Sequence, residues 1–360
     1  MTRLRLAPRS ILVVQAWGIG DVIMTTPMLR AIRDRWPDVR LLLAVRSPAV
    51  AELVCTPGLV DRVLLIPDWR RRLRFGAWLV GLRKSKIDLA IVATRHHTVW
   101  PALLRRLAGV REIAADSPSV ALRGVRYHRC VAEADTEHRV ESNLALLELI
   151  AGPVRRTPPA LNVSPADAAR AHALLGALDI SRGTDVIGVH AGSDPRVPQK
   201  RYPGAALRTA LLELLERAPD AHAVILFGGE RTDDRESYRG AHPRLHVLTD
   251  LPLGVVTAIA ERCTVFLAGD TGLAHMAAAR GTPVVIIAGP TQVRSTRPWG
   301  SHVEVLTTTM PLPCMPCYGT NLYGTCSHVS CMTTLPPTQV VRAVLRVLKS
   351  EREKHQAPVA

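Results

Sequence analysis

The sequence predicts an α/β protein built from two doubly wound parallel sheets joined by a single linker. Two observations carry this. Short apolar runs such as Ile11-Leu-Val-Val14 and Val284-Val-Ile-Ile287 alternate with helical stretches along nearly all of the 360 residues. These runs are continuous rather than alternating with polar residues, which marks strands buried on both faces, as in parallel sheets covered by helices. A third observation divides the chain. Gly and Pro gather at 151–160 and periodicity is lost there, after which the strand–helix alternation starts again.

The first half reads as follows. Ile11–Val14 is the first strand, Gln15–Asp21 the turn after it, and Val22–Trp36 a helix whose core face holds Met24, Met28, Leu29 and Ile32. Pro27 lies inside that helix, so the spacing predicts a kink or restart there with Thr25 or Thr26 as the cap. Val39–Val45 is the second strand, Ala49–Val54 a short helix, Asp61–Ile66 the third strand and Ile87–Val92 the fourth. Glu137–Ile150 is a long helix.

In the second half, Asp185–Val189 is a strand and Pro203–Arg217 a helix. Ala223–Phe227 and His246–Leu248 are strands, and Leu253–Arg262 is a helix. Val265–Ala268 then leads through Gly269, Asp270, Thr271 and Gly272 into a helix of small residues, Ala274–Ala279, stopped by Gly281 and Pro283. Val284–Ile287 and Val303–Leu306 are strands, and Pro337–Glu353 is an amphipathic helix. The domain boundaries this implies are 1–155, 165–335 and a C-terminal helix and tail at 336–360. Two such halves form a cleft, and ligands in these sheets bind beyond the carboxyl ends of the strands.

The chain is basic, with a net charge of +15, which points to an anionic partner. No apolar run is long enough to cross a membrane, and the basic N-terminus leads straight into the first strand, so a cytoplasmic protein is expected. The seven cysteines are an odd number and argue against a secreted disulfide scaffold. Between the third and fourth strands, Arg70, Arg71, Arg72, Arg74, Arg83, Lys84 and Lys86 surround Leu73, Phe75, Trp78, Leu79 and Leu82. Such a segment suits an anionic membrane surface or, equally, a solvated face of the first domain.

Four constellations carry chemistry. Gly18-Ile-Gly20-Asp21 follows the first strand, and Asp21 is either a helix N-cap or a general base at the floor of the cleft. The stretch lacks the third glycine of a dinucleotide fingerprint, which sets NAD binding aside. The loop from His190 to Pro203 brings Ser193, Lys200 and Arg201, groups that hold a diphosphate by hydrogen bonds and charge. Asp270-Thr271-Gly272 opens a helix whose free N–H groups favour an anion, and His275 one turn later either packs or binds. Cys314, Cys317, Cys326 and Cys331, with His328 between the last two, are compatible with a structural zinc site, an iron–sulfur site or packed thiols. Cys55, Cys130 and Cys263 are isolated and expected to be buried.

In combination these motifs resemble glycosyltransferase family 9, the lipopolysaccharide heptosyltransferases. The stretch Ile11–Arg33, with Gly18-Ile-Gly-Asp21, is similar to the family's N-terminal motif, and Lys200-Arg-Tyr-Pro203 to its K-R/H-W-P motif. Asp270-Thr-Gly-Leu-Ala-His275, with Gly281-Thr-Pro and Gly289-Pro-Thr, is similar to its C-terminal signature. The resemblance covers roughly residues 10–348. It implies a GT-B fold, two Rossmann-like doubly wound domains facing across a central cleft, with the last helix returning towards the first domain. It further implies inverting transfer of a sugar, typically heptose from ADP-heptose, to a lipopolysaccharide-core or related glycan.

By the same resemblance Asp21 is the base, with Gly18 and Gly20 in the acceptor-side turn. Lys200 and Ser193 contact the donor's phosphates and ribose, and the N–H groups of Thr271, Gly272 and Leu273 hold the diphosphate. Asp270 lies near the donor sugar, Glu230 on the nucleoside, and His275 within the signature. No cofactor is required for transfer. The implied partners are a nucleotide sugar and an anionic glycolipid at the cytoplasmic face of the inner membrane, with no nucleic acid. Trp17-Gly18 and Gln15 depart from the residues common in the family and leave the acceptor and the sugar open. A related transferase with another nucleotide sugar, a sugar-nucleotide epimerase and a non-catalytic nucleotide-sugar-binding protein remain alternatives.

Overall fold

The computed structural model describes residues 7–55, 58–94, 99–117, 127–130, 137–193, 196–228, 235–300 and 302–356. Two compact units divide the chain at Met1–Asn162 and Val163–Ala360. The linker foreseen at 151–160 therefore ends at the boundary, and it is tied to the first unit. Ala160 N–H donates to Thr26 Oγ1 at 2.9 Å, and Asn162 N–H to the Leu53 carbonyl at 2.8 Å.

The first unit runs β1 (Ser10–Val14), α1 (Ile19–Arg35), β2 (Arg40–Val45), α2 (Pro48–Val54), β3 (Arg62–Leu65), α3 (Arg72–Gly81), β4 (Leu89–Val92), α4 (Val99–Arg106), β5 (Glu112–Ser117), β6 (Tyr127–Cys130) and α5 (Arg139–Ala151). Its strands lie in the order β3-β2-β1-β4-β5-β6. All pairings are parallel, with Ile11 opposite Leu41 on one side and Leu89 on the other. Every residue of β1 is buried, as expected for the centre of a sheet covered on both faces. Each such aliphatic side chain contributes roughly 1.5–3 kcal/mol. Sequence reading missed α4, β5 and β6.

Helix α1 differs from expectation. It runs unbroken through Pro27 and begins at Ile19, so neither Thr25 nor Thr26 caps a second helix. The physical reason is local. Pro27 has no N–H to give the Ile23 carbonyl, and the Thr26 hydroxyl donates to that carbonyl instead, at 2.7 Å. Thr25 Oγ1 likewise donates to the Asp21 carbonyl at 2.8 Å. Asn143 on α5 donates to the Met24 carbonyl at 3.2 Å and so ties the two helices at this point.

The second unit runs α6 (Pro165–Gly176), β7 (Asp185–His190), α7 (Gly204–Arg217), β8 (Ala221–Phe227), α8 (Arg235–Tyr238), β9 (Leu245–Thr249), α9 (Leu253–Arg262), β10 (Val265–Gly269), α10 (Gly272–Ala279), β11 (Val284–Ile287), α11 (Val293–Thr296), β12 (Val303–Leu306), α12 (Ser330–Thr333) and α13 (Pro337–Gln356). The parallel order is β12-β11-β10-β7-β8-β9. Helix α13, expected to return towards the first domain, buries Val340, Val341, Ala343, Val344 and Leu348 in the core of the second unit with Leu211 and Leu214 of α7. Tyr202 OH donates to the Leu335 carbonyl at 2.8 Å and anchors the approach to α13.

Both sheets reverse direction of winding once, between β1 and β4 in the first unit and between β7 and β10 in the second. The carboxyl ends at such switch points are where doubly wound sheets bind ligands.

Candidate functional site

At the first switch point the chain leaving β1 is pinned to the end of β4. Buried Gln15 donates through Nε2 to the Ala93 carbonyl at 3.2 Å and to Thr25 Oγ1 at 3.1 Å. The Ala16 N–H donates to Thr94 Oγ1 at 2.8 Å. Gly18 is the N-cap of α1, with φ −71° and ψ −178°, and supplies no side-chain cap. Asp21 is therefore not the cap; it sits inside the first turn, as does Gly20. A Cβ on Gly18 would lie 3.9 Å from Asp21 Oδ2, so the carboxylate folds back over the helix entrance. Gln15 was singled out in the sequence as a departure on the acceptor side, whereas Thr94 was not; its polarity just beyond an apolar strand is the signal that marks it.

At the second switch point three segments converge within one unit. After β7, Ser193 is buried, and its hydroxyl donates to the Val197 carbonyl at 3.3 Å. A 3-10 turn, Pro198–Lys200, then delivers Lys200. Its ammonium lies 3.7 Å from Asp270 Oδ2, with the two side chains 14% and 6% exposed. Close approach is needed here: a Cβ on Gly269 would stand 3.3 Å from the Lys200 carbonyl. Asp270 also accepts from Thr296 Oγ1 at 3.3 Å.

Thr271 is the N-cap of α10, with Gly272 and Leu273 opening the helix, and its Oγ1 is buried with no hydrogen-bond partner. A hydroxyl left so, beside helix N–H groups, is arranged to meet a ligand oxygen. His275 is buried in α10. Glu230 lies outside the described residues.

Two further residues reach this site from segments not singled out in the sequence. Thr296 ends α11. Tyr318 places its ring centroid 4.1 Å from Lys200 Nζ.

Among the described residues no three His, Cys, Asp or Glu side chains are grouped to hold a metal ion. Cys314 is exposed, Cys331 is buried, and both are free thiols, as are Cys317 and Cys326. Cys331 packs in the core beside Met332, and the Cys317 N–H donates to the Pro290 carbonyl at 3.0 Å. Burial, reinforced by Cys317, Cys326 and Cys314, pushes the Cys331 thiol up to about 11. Burial first, then Cys314, also raises Cys317. Of the isolated cysteines, Cys263 is buried as expected, whereas Cys55 is exposed because it ends α2. The side chain of Cys130 lies outside the described residues.

Two parallel-sheet domains with polar residues gathered at both switch points define the GT-B class of glycosyltransferase. The family model for glycosyltransferase family 9 (heptosyltransferase) matches residues 78–324, and the chain belongs to that family. It is 26% identical over 331 residues to lipopolysaccharide heptosyltransferase 1 of Pseudomonas aeruginosa, covering 88% of this chain and 87% of that protein. A 90-residue stretch is 33% identical to lipooligosaccharide heptosyltransferase 2 of Campylobacter jejuni, which is 24% of this chain and 27% of that one. Among solved structures, a family 9 glycosyl transferase from Veillonella parvula superposes with TM-score 0.78 at 19% identity, covering 97% of this chain and 100% of that chain. E. coli ADP-heptose lps heptosyltransferase II gives TM-score 0.71 at 18% identity, covering 96% and 99%.

Proposed function

We propose that this glycosyltransferase moves heptose from ADP-heptose, with inversion, onto a lipopolysaccharide-core or related glycolipid. The observation that carries the reading is the Lys200–Asp270 pair beside the N-terminus of α10 at the second switch point. Lys200, the N–H groups of Thr271, Gly272 and Leu273, and the orphaned Thr271 hydroxyl are the donors that a leaving diphosphate needs. Ser193, Asp270, His275 and Glu230 complete the donor side in this reading. The similar E. coli protein is an ADP-heptose lps heptosyltransferase, which supports that donor here.

Asp21 takes the proton of the acceptor hydroxyl as its oxygen attacks the anomeric carbon, and the bond from that carbon to the diphosphate oxygen breaks, releasing ADP. The donors above offset the charge that develops on ADP without a metal ion. Gly18 and Gly20 leave the acceptor room at the helix entrance.

The acceptor is an anionic glycolipid at the cytoplasmic face of the inner membrane. Supporting this, Trp69 and Leu73 are 59% and 90% exposed beside Arg70, Arg71, Arg72 and Arg74. No helix among the described residues is long and apolar enough to cross a membrane, so contact of this kind is peripheral.

The test is a thermal-shift screen of nucleotide sugars followed by transfer assays on Asp21→Ala. ADP-heptose should raise the unfolding midpoint of both proteins, while the variant loses transfer. Stabilisation by a UDP- or GDP-sugar instead overturns the donor, and unchanged turnover by Asp21→Ala overturns the base. Epimerised nucleotide sugar formed without acceptor would reassign the enzyme.

A further inference from the structure

We infer that Tyr318 is a positioning residue that holds the Lys200 ammonium in place for the donor diphosphate. The inference rests on the proposed role of Lys200 at the donor. Lys200 Nζ lies 4.1 Å from the Tyr318 ring centroid and 3.7 Å from Asp270 Oδ2, so the ammonium is held by a carboxylate and an aromatic face at once. The ring is itself fixed. The Tyr318 N–H donates to the Pro290 carbonyl at 2.8 Å, which hangs the segment from the loop following β11. Thr320 Oγ1 donates to the Cys317 carbonyl at 2.7 Å and closes the turn around the ring. Gly319 supports that turn with φ +86°, a conformation open to glycine. Tyr323 meets the Tyr318 ring edge-on at 5.0 Å between centroids.

The chemistry explains why an aromatic ring suits this place. A lysine side chain is a point charge on a flexible stem, and one carboxylate at 3.7 Å fixes its distance in a single direction. The π face supplies a second direction of attraction. It does so without a formal negative charge. A second carboxylate at that position would repel the diphosphate and would hold the ammonium back from it. With the ring there, the ammonium is pre-placed yet free to turn from Asp270 towards an arriving phosphate oxygen. This arrangement also gives the loop after the Cys314–Cys317 pair a task that needs no metal.

The test compares Tyr318→Phe, Tyr318→Trp, Tyr318→Leu and Lys200→Met for transfer from the donor, with unfolding midpoints measured alongside. Phe and Trp keep the π face and should stay within about threefold of wild type in kcat/KM, whereas Leu, similar in bulk, should lose about tenfold. In a Lys200→Met background, Tyr318→Leu should cause no further loss. Leu performing as well as Phe overturns the inference, as does Phe performing as poorly as Leu. Should the Leu protein be unstable, Tyr318→Phe carrying successive ring fluorines keeps the shape and weakens the π face. The rate should then fall stepwise, and a flat response overturns the inference. Wild-type turnover by Lys200→Met would instead sink the donor-site reading itself, so the two failures are distinguishable.

Discussion

The Lys200–Asp270 pair makes a quantitative claim about the second unit. Lys200→Met keeps the aliphatic stem and removes the ammonium, leaving Asp270, 6% exposed, with Thr296 Oγ1 at 3.3 Å. At a separation of 3.7 Å and an effective dielectric of about 20, the gross attraction is about 4.5 kcal/mol. Loss of hydration by both charges cancels much of that, so the net coupling is about 1–3 kcal/mol. Removing only the lysine costs more, about 3–5 kcal/mol, because a carboxylate is left buried without its cation. Asp270→Asn costs less, since the ammonium keeps the face of Tyr318, worth about 0.5–2 kcal/mol. The double variant Lys200→Met/Asp270→Asn should be more stable than Lys200→Met alone.

The assay is thermal unfolding of the four full-length proteins, read at the transition that the substitutions move. Two units in one chain need not melt together. A unit of the size of Val163–Ala360 shifts by roughly 2–4 °C per kcal/mol, so Lys200→Met should lower its midpoint by roughly 6–20 °C. Equal midpoints for Lys200→Met and the double variant, or no shift for Lys200→Met, would refute the argument that the pair is coupled in a water-poor site.

Three more outcomes are expected. In β7, a Cβ on Gly188 would stand 2.6 Å from both Cys263 Sγ and Phe266 Cδ2, so Gly188→Ala should destabilise by about 1–3 kcal/mol and Cys263→Ala should restore part of it. Urea unfolding of Gly188→Ala at the wild-type midpoint would contradict this. On β8 and β9, His222 and His246 share one proton across 3.0 Å, and burial first, then neighbouring positive charge, lowers the pKa of each below 6.5. Because the folded values are the lower ones, their contribution is present above 6.5 and fades as pH falls below it, and His246→Gln should flatten stability in that range. At α3, Trp69→Ser with Leu73→Ser should weaken co-sedimentation with anionic vesicles, and high salt should weaken the wild type further; equal binding by both proteins refutes the membrane surface.

What the sequence showed of this molecule depended on whether a residue's place follows from a repeating pattern. Ile11–Val14 and Val284–Ile287 were readable as central strands because burial on both faces demands unbroken apolar runs. Once those strands are known, the residues beyond them are expected at a sheet's carboxyl edge, which is why Asp21, Lys200 and Asp270 were singled out as candidates. The misreadings came where one side chain answers a purely local need. Pro27 reads as a break only until the Thr26 hydroxyl is seen on the Ile23 carbonyl.

Residue spacing likewise does not tell that Cys331 packs in the core with Met332 and Leu335. Tyr318 was invisible because it reaches the site from a loop whose path is set by single hydrogen bonds, such as that from its N–H to the Pro290 carbonyl, and Thr296 because it ends a helix of only four residues. The groups at the second switch point are thus of two kinds. Those just beyond strand ends are placed by the sheet. Tyr318, brought by a loop, is placed by a few local contacts, and a change in any one of them alters how the Lys200 ammonium is held.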